Sequence, residues 1–114
     1  MSDCLFCKLV AGVIPCDKVF EDEAFLAFRD ISPQAPTHVL LIPKRHIQSP
    51  SEFAPDEAEA AGRLLTTAAQ VSRELGLDSS GYRWVINCGE DGGQTVSHLH
   101  LHILGGRRLG WPPG

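Results

Sequence analysis

The chain has 114 residues, of which 43% are hydrophobic and 21% are charged. This is an ordinary balance for one globular domain with a buried core, and it argues against a disordered chain. The formal net charge is −4 and the basic residues are scattered apart from two adjacent pairs, at residues 44–45 and 107–108, so we expect no nucleic-acid partner. An anionic ligand must be held by local geometry, because the overall field is weakly repulsive.

The sequence has no run of about 18 apolar residues, so we expect no membrane span. Its first residues lack the basic and apolar regions of a secretory signal. Cysteines in a chain that is not secreted are expected to be reduced. We therefore expect a cytoplasmic protein with a single domain over residues 1–114, of which residues 106–114 form a C-terminal tail.

The pattern of apolar and turn-forming residues predicts a short N-terminal helix, five strands and one long helix. Asp3 is a candidate N-cap for the short helix over residues 4–11, and Gly76 is a candidate C-terminal stop for the long helix over residues 55–75. The strands are expected at residues 19–21, 24–29, 38–43, 82–87 and 98–104. Short strands with hairpin-like connections and one long helix indicate an α+β fold on a five-stranded antiparallel sheet.

The last predicted strand carries three alternating histidines, His98, His100 and His102. A period of two places the imidazoles on one face of the strand and the aliphatic side chains on the other. Such a stripe fits solvent-facing residues on an edge strand, a metal site, or acid–base and nucleophilic chemistry. The glycine-rich segment before it, residues 89–95, favours the third interpretation, because glycines allow successive backbone N–H groups to cradle an anion.

Together these motifs resemble the histidine triad superfamily, whose signature is His-x-His-x-His followed by two hydrophobic residues. Within that superfamily the chain is most similar to the Hint branch of purine nucleoside phosphoramidases. The matching segments are residues 30–38, 42–46, 91–95, 98–102, 104–107 and 111–114. The resemblance covers essentially the whole chain, and it implies a histidine-triad-like fold, a homodimer and a small purine nucleotide substrate.

The resemblance also implies the catalytic residues. His100 is expected to attack the α-phosphorus of a bound nucleotide, after which water releases the nucleoside monophosphate. An imidazole that is largely neutral near pH 7 suits this nucleophilic step, and an amine leaving group requires a proton donor. His98 and His102 are expected to assist with charge and protons, and His38 is expected to orient the nucleophilic ring.

By the same resemblance, an apolar slot near the N-terminus binds the base, although its residues also fit plain core packing. The slot residues are Leu5, Phe6, Leu9, Ile14, Phe28 and Ile31. The expected contacts of the ribose, the phosphate and the leaving group are Asp30, Asn87, Gly93, Gln94, Thr95, His100 and His102. Arg29 and Thr95 replace the histidine and serine that the family often has, and the retained hydroxyl of Thr95 limits the consequence to leaving-group preference.

A pair of cysteines at the start of the first helix, Cys4 and Cys7, has a spacing that lets two thiolates share one ion. More distant histidine triad relatives pair such cysteines with two histidines, which correspond here to His46 and His98. The resemblance thus implies a structural zinc on these four residues, and no organic cofactor is expected. A pair of reduced, partly buried cysteines is the alternative, since the Hint branch often lacks them.

The main hypothesis is therefore hydrolysis of the P–N bond of a purine nucleoside 5′-phosphoramidate. Three other functions remain open: hydrolysis or transfer on a dinucleotide polyphosphate, nucleotide-dependent regulation with incidental catalysis, and metal handling. His102 disfavours the transferases, which resemble a pattern with glutamine at that position. The tail with Trp111 is either frayed or, as the resemblance implies, reaches toward the active site of a dimer partner.

Overall fold

The computed structural model describes residues 3–114. Its helices are α1 (Leu5–Val10) and α2 (Ala58–Glu74), with two 3-10 turns at Pro50–Glu52 and Pro55–Glu57. Its strands are β1 (Lys18–Glu21), β2 (Phe25–Arg29), β3 (Thr37–Pro43), β4 (Tyr82–Ile86) and β5 (Leu101–Gly105). The strands form one sheet in the order β1-β2-β3-β5-β4 with every neighbouring pair antiparallel. The α+β prediction with a five-stranded antiparallel sheet is confirmed.

Three predicted boundaries are clearly wrong. The helix α2 begins at Ala58, three residues later than predicted, because Pro55–Glu57 form a separate 3-10 turn. The N-cap of α1 is Cys4, not Asp3, because the Cys4 sulfur accepts a hydrogen bond from the backbone N–H of Cys7 at 3.4 Å. The last strand begins at Leu101, three residues later than predicted, because the chain before it pairs with a loop: the N–H of Leu99 donates to the carbonyl of Ile47 at 2.7 Å.

The sheet separates two buried apolar clusters. On one face α2 packs against residues that include Leu41, Leu101 and Ile103. On the other face the short α1 contributes Phe6 and Leu9 to a cluster with residues of β2 and β3. The central strand β3 is buried on both faces, as its continuous apolar run predicts.

The order of the strands brings the histidines together. β3 and β5 are neighbours in an antiparallel register that pairs Leu40 with His102 and His38 with Leu104. Leu99, Leu101 and Ile103 belong to the cluster on the α2 face, whereas the rings of His98 and His100 lie against Phe6 of α1. The predicted alternation of histidine and aliphatic side chains between the two faces therefore extends to residues 98–100, which precede β5.

None of the helices within residues 3–114 is long and apolar enough to cross a membrane.

Candidate active site

A cavity of about 550 Å³ opens between α1, the segment that precedes β1, the end of β2 and the histidines. Its volume falls in the range of about 300–1,000 Å³ that is typical of small-molecule sites. Its lining residues are Leu5, Phe6, Leu9, Ile14, Pro15, Cys16, Asp17, Phe28, Arg29, Asp30, Ile31, Leu40, Thr95, Val96, His100 and His102. All six residues predicted for the base slot therefore lie in its wall, and the rest of the lining combines the apolar Pro15, Leu40 and Val96 with polar residues.

His100 is held in one tautomer by the backbone. The side chain is 5% exposed, and its Nδ1 lies 2.7 Å from the main-chain carbonyl oxygen of His98. Since a carbonyl can only accept, the proton of the neutral ring sits on Nδ1 and Nε2 keeps its lone pair. The ring of Phe6 packs edge-on against this imidazole, with ring centroids 5.1 Å apart. His100 thus combines a fixed orientation with an unprotonated nitrogen beside the cavity.

A second chain of hydrogen bonds fixes His38 and His102. The backbone N–H of Gln34 donates to Nδ1 of His38 at 3.0 Å, so the proton of neutral His38 is on Nε2. That nitrogen lies 2.9 Å from Nδ1 of His102, to which it donates. His102 therefore carries its proton on Nε2, a buried atom with no hydrogen-bond partner among residues 3–114. This arrangement places an unsatisfied N–H donor on a residue of the cavity wall.

Burial keeps the imidazole of His102 uncharged. Desolvation, with smaller contributions from His100 and His38, lowers the pKa of His102 to about 4. Desolvation also lowers the pKa of His38, against the opposing attraction of Asp30. At neutral pH the two rings are therefore hydrogen-bond donors and acceptors rather than cations.

Both carboxylate oxygens of Asp30 have partners in the structure. One carboxylate oxygen accepts from the backbone N–H of Ser32 at 2.8 Å and so caps the proline-rich loop. The other lies 3.5 Å from Nε2 of His38. Because Asp30 also lines the cavity, its carboxylate is within the site while the loop holds it in place.

The glycine-rich loop before the histidines is organised by Gln94. Its amide oxygen accepts from the N–H of Gly89, and its amide nitrogen donates to the carbonyls of Gln48 and Val96. A side chain at Gly92 would place its Cβ 2.4 Å from the carbonyl oxygen of Cys88, so only glycine fits there. Asn87, Gly93 and Gln94 do not line the cavity, and their contact with a phosphate stays a prediction.

Cys4, Cys7, His46 and His98 meet beside the active site, and we call them the Cys/His cluster. The four candidate ligand atoms lie within 4.8 Å of one another. Nδ1 of His98 lies 3.3 Å from the Cys4 sulfur, and Nδ1 of His46 lies 3.2 Å from the Cys7 sulfur. Nε2 of His98 donates to the carbonyl of Pro43 at 2.8 Å, which leaves its Nδ1 lone pair facing the sulfurs. Two thiols and two imidazoles are a donor set that zinc prefers.

The sequence pattern of the HIT domain matches residues 11–109. The chain belongs to the HIT family. This assignment agrees with the resemblance seen in the sequence and with the fold, since a crystal structure of a HIT family hydrolase from Legionella pneumophila superposes with a TM-score of 0.95 at 51% identity. That alignment covers 98% of this chain and 100% of the other.

Two curated relatives also support membership of the HIT family. An uncharacterized HIT-like protein of Synechococcus elongatus is 50% identical over 113 residues, which are 99% of this chain and 98% of that protein. A purine nucleoside phosphoramidase of Escherichia coli K12 is 44% identical over 109 residues, 96% of this chain and 92% of that protein. The HIT family is thus shown over nearly the full length.

Sequence reasoning missed several residues of the cavity wall. Leu40 lies on the same sheet face as Ile42 and Phe28. Alternation along its strand could therefore have placed Leu40 on the face that carries the predicted slot residue Phe28. Cys16 and Asp17 follow Ile14 along the chain, but nothing in their local pattern indicates a ligand site. Asp17 pairs with Arg29 across 3.8 Å, and both lie in the cavity wall.

We expect acid to destabilise this HIT-family chain through His102. Its native pKa is about 4, against an ordinary value of 6.5, so the unfolded chain binds the proton first as the pH falls. The free energy of unfolding should decrease from about pH 6.5 to about pH 4 and then level off with respect to this group. Urea unfolding at several pH values across this range measures the free energy of unfolding. The His102→Gln variant should show a weaker dependence of that free energy on pH. An NMR titration of His102 with a midpoint near 6.5 would contradict the assignment.

Proposed function

We propose that the chain is a hydrolase that cleaves the P–N bond of purine nucleoside 5′-phosphoramidates through a nucleotidyl intermediate on His100. The observation that carries this proposal is the tautomer of His100: Nδ1–H is bound to a carbonyl, and Nε2 is free to attack. The Escherichia coli relative is named a purine nucleoside phosphoramidase, and the Legionella pneumophila relative is described as a HIT family hydrolase. Both names support this class of reaction.

In the first step Nε2 of His100 attacks the α-phosphorus, and the P–N bond to the amine breaks with its electron pair leaving on nitrogen. The imidazole becomes cationic as the new bond forms. Its Nδ1–H then donates to the His98 carbonyl from a charged ring, and charge-assisted hydrogen bonds are about twice as strong as neutral ones. The hydrogen bond therefore strengthens in the transition state, which is the condition for lowering the barrier.

The departing amine needs a proton and the phosphoryl oxygens need hydrogen-bond donors. Two hydrogen-bond donors of the cavity wall, the Nε2–H of His102 and the hydroxyl of Thr95, serve the phosphoryl oxygens. The departing amine takes its proton from water, because a neutral imidazole that gave up its N–H would be left as an anion. His38 acts as a positioning residue, because its Nε2–H holds Nδ1 of His102 and so directs the His102 proton to Nε2. In the second step water attacks the phosphorus of the nucleotidyl-His100, and the bond from phosphorus to Nε2 breaks with its electron pair returning to the ring. The nucleoside monophosphate leaves, and the proton that water loses passes to solvent.

The rest of the cavity fits the nucleoside. The apolar wall around Leu5, Phe6 and Phe28 suits the flat face of a purine, and Asp30 offers a carboxylate oxygen to the ribose hydroxyls. Gln94 has its donors bound to the carbonyls of Gln48 and Val96, so it shapes the loop that approaches the phosphate.

The Cys/His cluster completes the proposal as a structural zinc site. Cys4, Cys7, His46 and His98 would hold the ion, and the Nδ1 lone pair of His98, which faces the sulfurs, fits such a ligand. A closed four-ligand zinc links chain segments and takes no part in the chemistry. His98 is then a ligand rather than a proton donor.

We also propose that the protein acts in the cytoplasm as a homodimer, as the family resemblance implies. Trp111 in the C-terminal tail is 83% exposed, and a large aromatic ring left in solvent is a feature that a partner subunit would cover.

His100→Ala should abolish turnover. With adenosine 5′-phosphoramidate as substrate, we expect AMP formation to fall by at least about a thousandfold, because no other residue replaces the attacking nitrogen. Cys88→Ser, at an exposed cysteine outside the cavity, should stay within about twofold of the wild type. Wild-type protein that binds AMP but does not turn over the phosphoramidate would indicate a nucleotide-binding regulator instead. Wild-type protein that binds no nucleotide would contradict both of these functions and favour metal handling.

Purified protein should contain about one zinc per chain by elemental analysis when it is expressed with zinc. Cys7→Ser should lose most of that metal, whereas Cys88→Ser should keep it. Chelation should lower the melting temperature of the wild type, because the ion binds only the folded chain. Well under one metal per chain, with melting unchanged by chelator, would remove the zinc site from the proposal.

A further inference from the structure

The Cys/His cluster lies between two parts of the active site, the helix α1 and the segment that carries His98 and His100, which also meet where Phe6 packs against the two imidazoles. Cys4 caps α1 and Cys7 lies in its first turn. His98 lies two residues before the nucleophile His100. Whatever occupies the cluster therefore contacts both a wall of the cavity and the segment that carries the attacking nitrogen.

The first connection runs through α1. This helix has only six residues, and isolated helices shorter than about 12 residues are marginal in water, so its position depends on its attachments. It supplies Leu5, Phe6 and Leu9 to the cavity wall. Leu5 is 46% exposed, which leaves that side of the wall weakly anchored by packing. A bond to Cys4 and Cys7 would tie both the cap and the first turn of α1 to His98 and His46.

The second connection runs through His98. This residue is fully buried, and each of its polar groups has a defined partner: Nδ1 faces the sulfurs, Nε2 donates to Pro43, and the main-chain carbonyl accepts from Nδ1 of His100. The imidazole and the carbonyl belong to the same residue. Fixing the ring of His98 therefore fixes the acceptor that determines the tautomer and direction of His100.

We propose that metal binding at the Cys/His cluster and nucleotide binding in the cavity are positively coupled, so that the cluster sets the nucleotide affinity of the active site. Cys4, Cys7, His46 and His98 are positioning residues in this account. The inference rests on the proposed zinc site and on the proposed nucleotide cavity, and it adds the energetic link between them.

The physical basis is the cost of ordering. A nucleotide that enters the metal-free site must itself hold α1 against the base and must find His100 in the attacking orientation. In the metal-bound site α1 and His100 are already ordered, so less of the free energy of nucleotide binding is spent on ordering them. The metal thus raises nucleotide affinity without touching the nucleotide.

Coupling of this kind is reciprocal. If zinc raises the affinity for AMP by some factor, AMP must raise the affinity for zinc by the same factor. Typical coupling between two sites amounts to about 5–150-fold. We expect at least about a fivefold effect in each direction, and the second direction can be measured without any turnover.

The experiment uses wild-type protein and AMP as the nucleotide. One arm measures the dissociation constant of AMP by calorimetry for zinc-loaded and chelator-stripped protein, with Cys7→Ser as the metal-site variant and Cys88→Ser as its matched control. The other arm measures the dissociation constant of zinc on the wild type by competition with a chelator, with and without saturating AMP. A circular dichroism spectrum shows whether the stripped protein keeps its fold. A stripped protein that unfolds overturns the coupling in favour of a purely structural role of the metal, because AMP would then raise the apparent zinc affinity through folding alone.

The expected result is weaker AMP binding after stripping and in Cys7→Ser, no change in Cys88→Ser, and tighter zinc binding with AMP by the same factor. Zinc affinity that is independent of AMP overturns the coupling while leaving both sites standing. Protein that binds AMP but no zinc removes the metal site, and protein that binds zinc but no AMP removes the nucleotide cavity. Either of these two results overturns the coupling as well, and they are distinguishable from each other.

Discussion

The hydrogen bond from Nδ1 of His100 to the carbonyl of His98 is the constraint on which the rest of the site depends. It is 2.7 Å long, it is buried, and it joins two residues that are only two positions apart. It decides which nitrogen of His100 carries the proton and therefore which one keeps a lone pair for the proposed attack. Without it a neutral imidazole populates both tautomers and rotates, and its lone pair is no longer directed.

The sheet and the core beneath it hold the histidines around that hydrogen bond in place. β3 and β5 are adjacent, which brings His38 beside His102, and the backbone N–H of Gln34 then sets the direction of the whole hydrogen-bond chain. The aliphatic residues between the histidines pack toward α2 and anchor the segment from the opposite face. Core packing on one face of the sheet thus keeps the histidine side chains in position on the other face.

Much of this arrangement could be predicted from the sequence. Alternation along residues 98–104 separates histidines from aliphatic side chains, and the continuous apolar run before Lys44 predicts a central strand; both follow from the geometry of a β-strand. The pattern could not predict that β5 begins at Leu101, because the preceding residues pair with Ile47 in a distant loop. The cap of α1 was missed for a related reason: a cysteine sulfur accepts the hydrogen bond that a carboxylate at Asp3 was expected to accept.

The protonation states were also beyond the reach of the sequence. They depend on long-range partners such as Pro43 for His98 and Gln34 for His38, and no local motif specifies these contacts. The same holds for Gln94. Its amide side chain in a glycine-rich loop suggests a phosphate ligand, but that amide is bound to the N–H of Gly89 and to the carbonyl of the distant Gln48. Residue type and spacing indicate which groups meet, whereas the tertiary fold decides which of their atoms remain available.

The most direct measurement of the central claim is identification of the covalent intermediate. Wild-type protein mixed with adenosine 5′-phosphoramidate, quenched within milliseconds in alkali and digested for mass spectrometry, should yield one peptide that carries a nucleotidyl group on His100. A nucleotidyl group found on another residue, or turnover to AMP with no covalent adduct at any time, would contradict the assignment of His100 as the nucleophile.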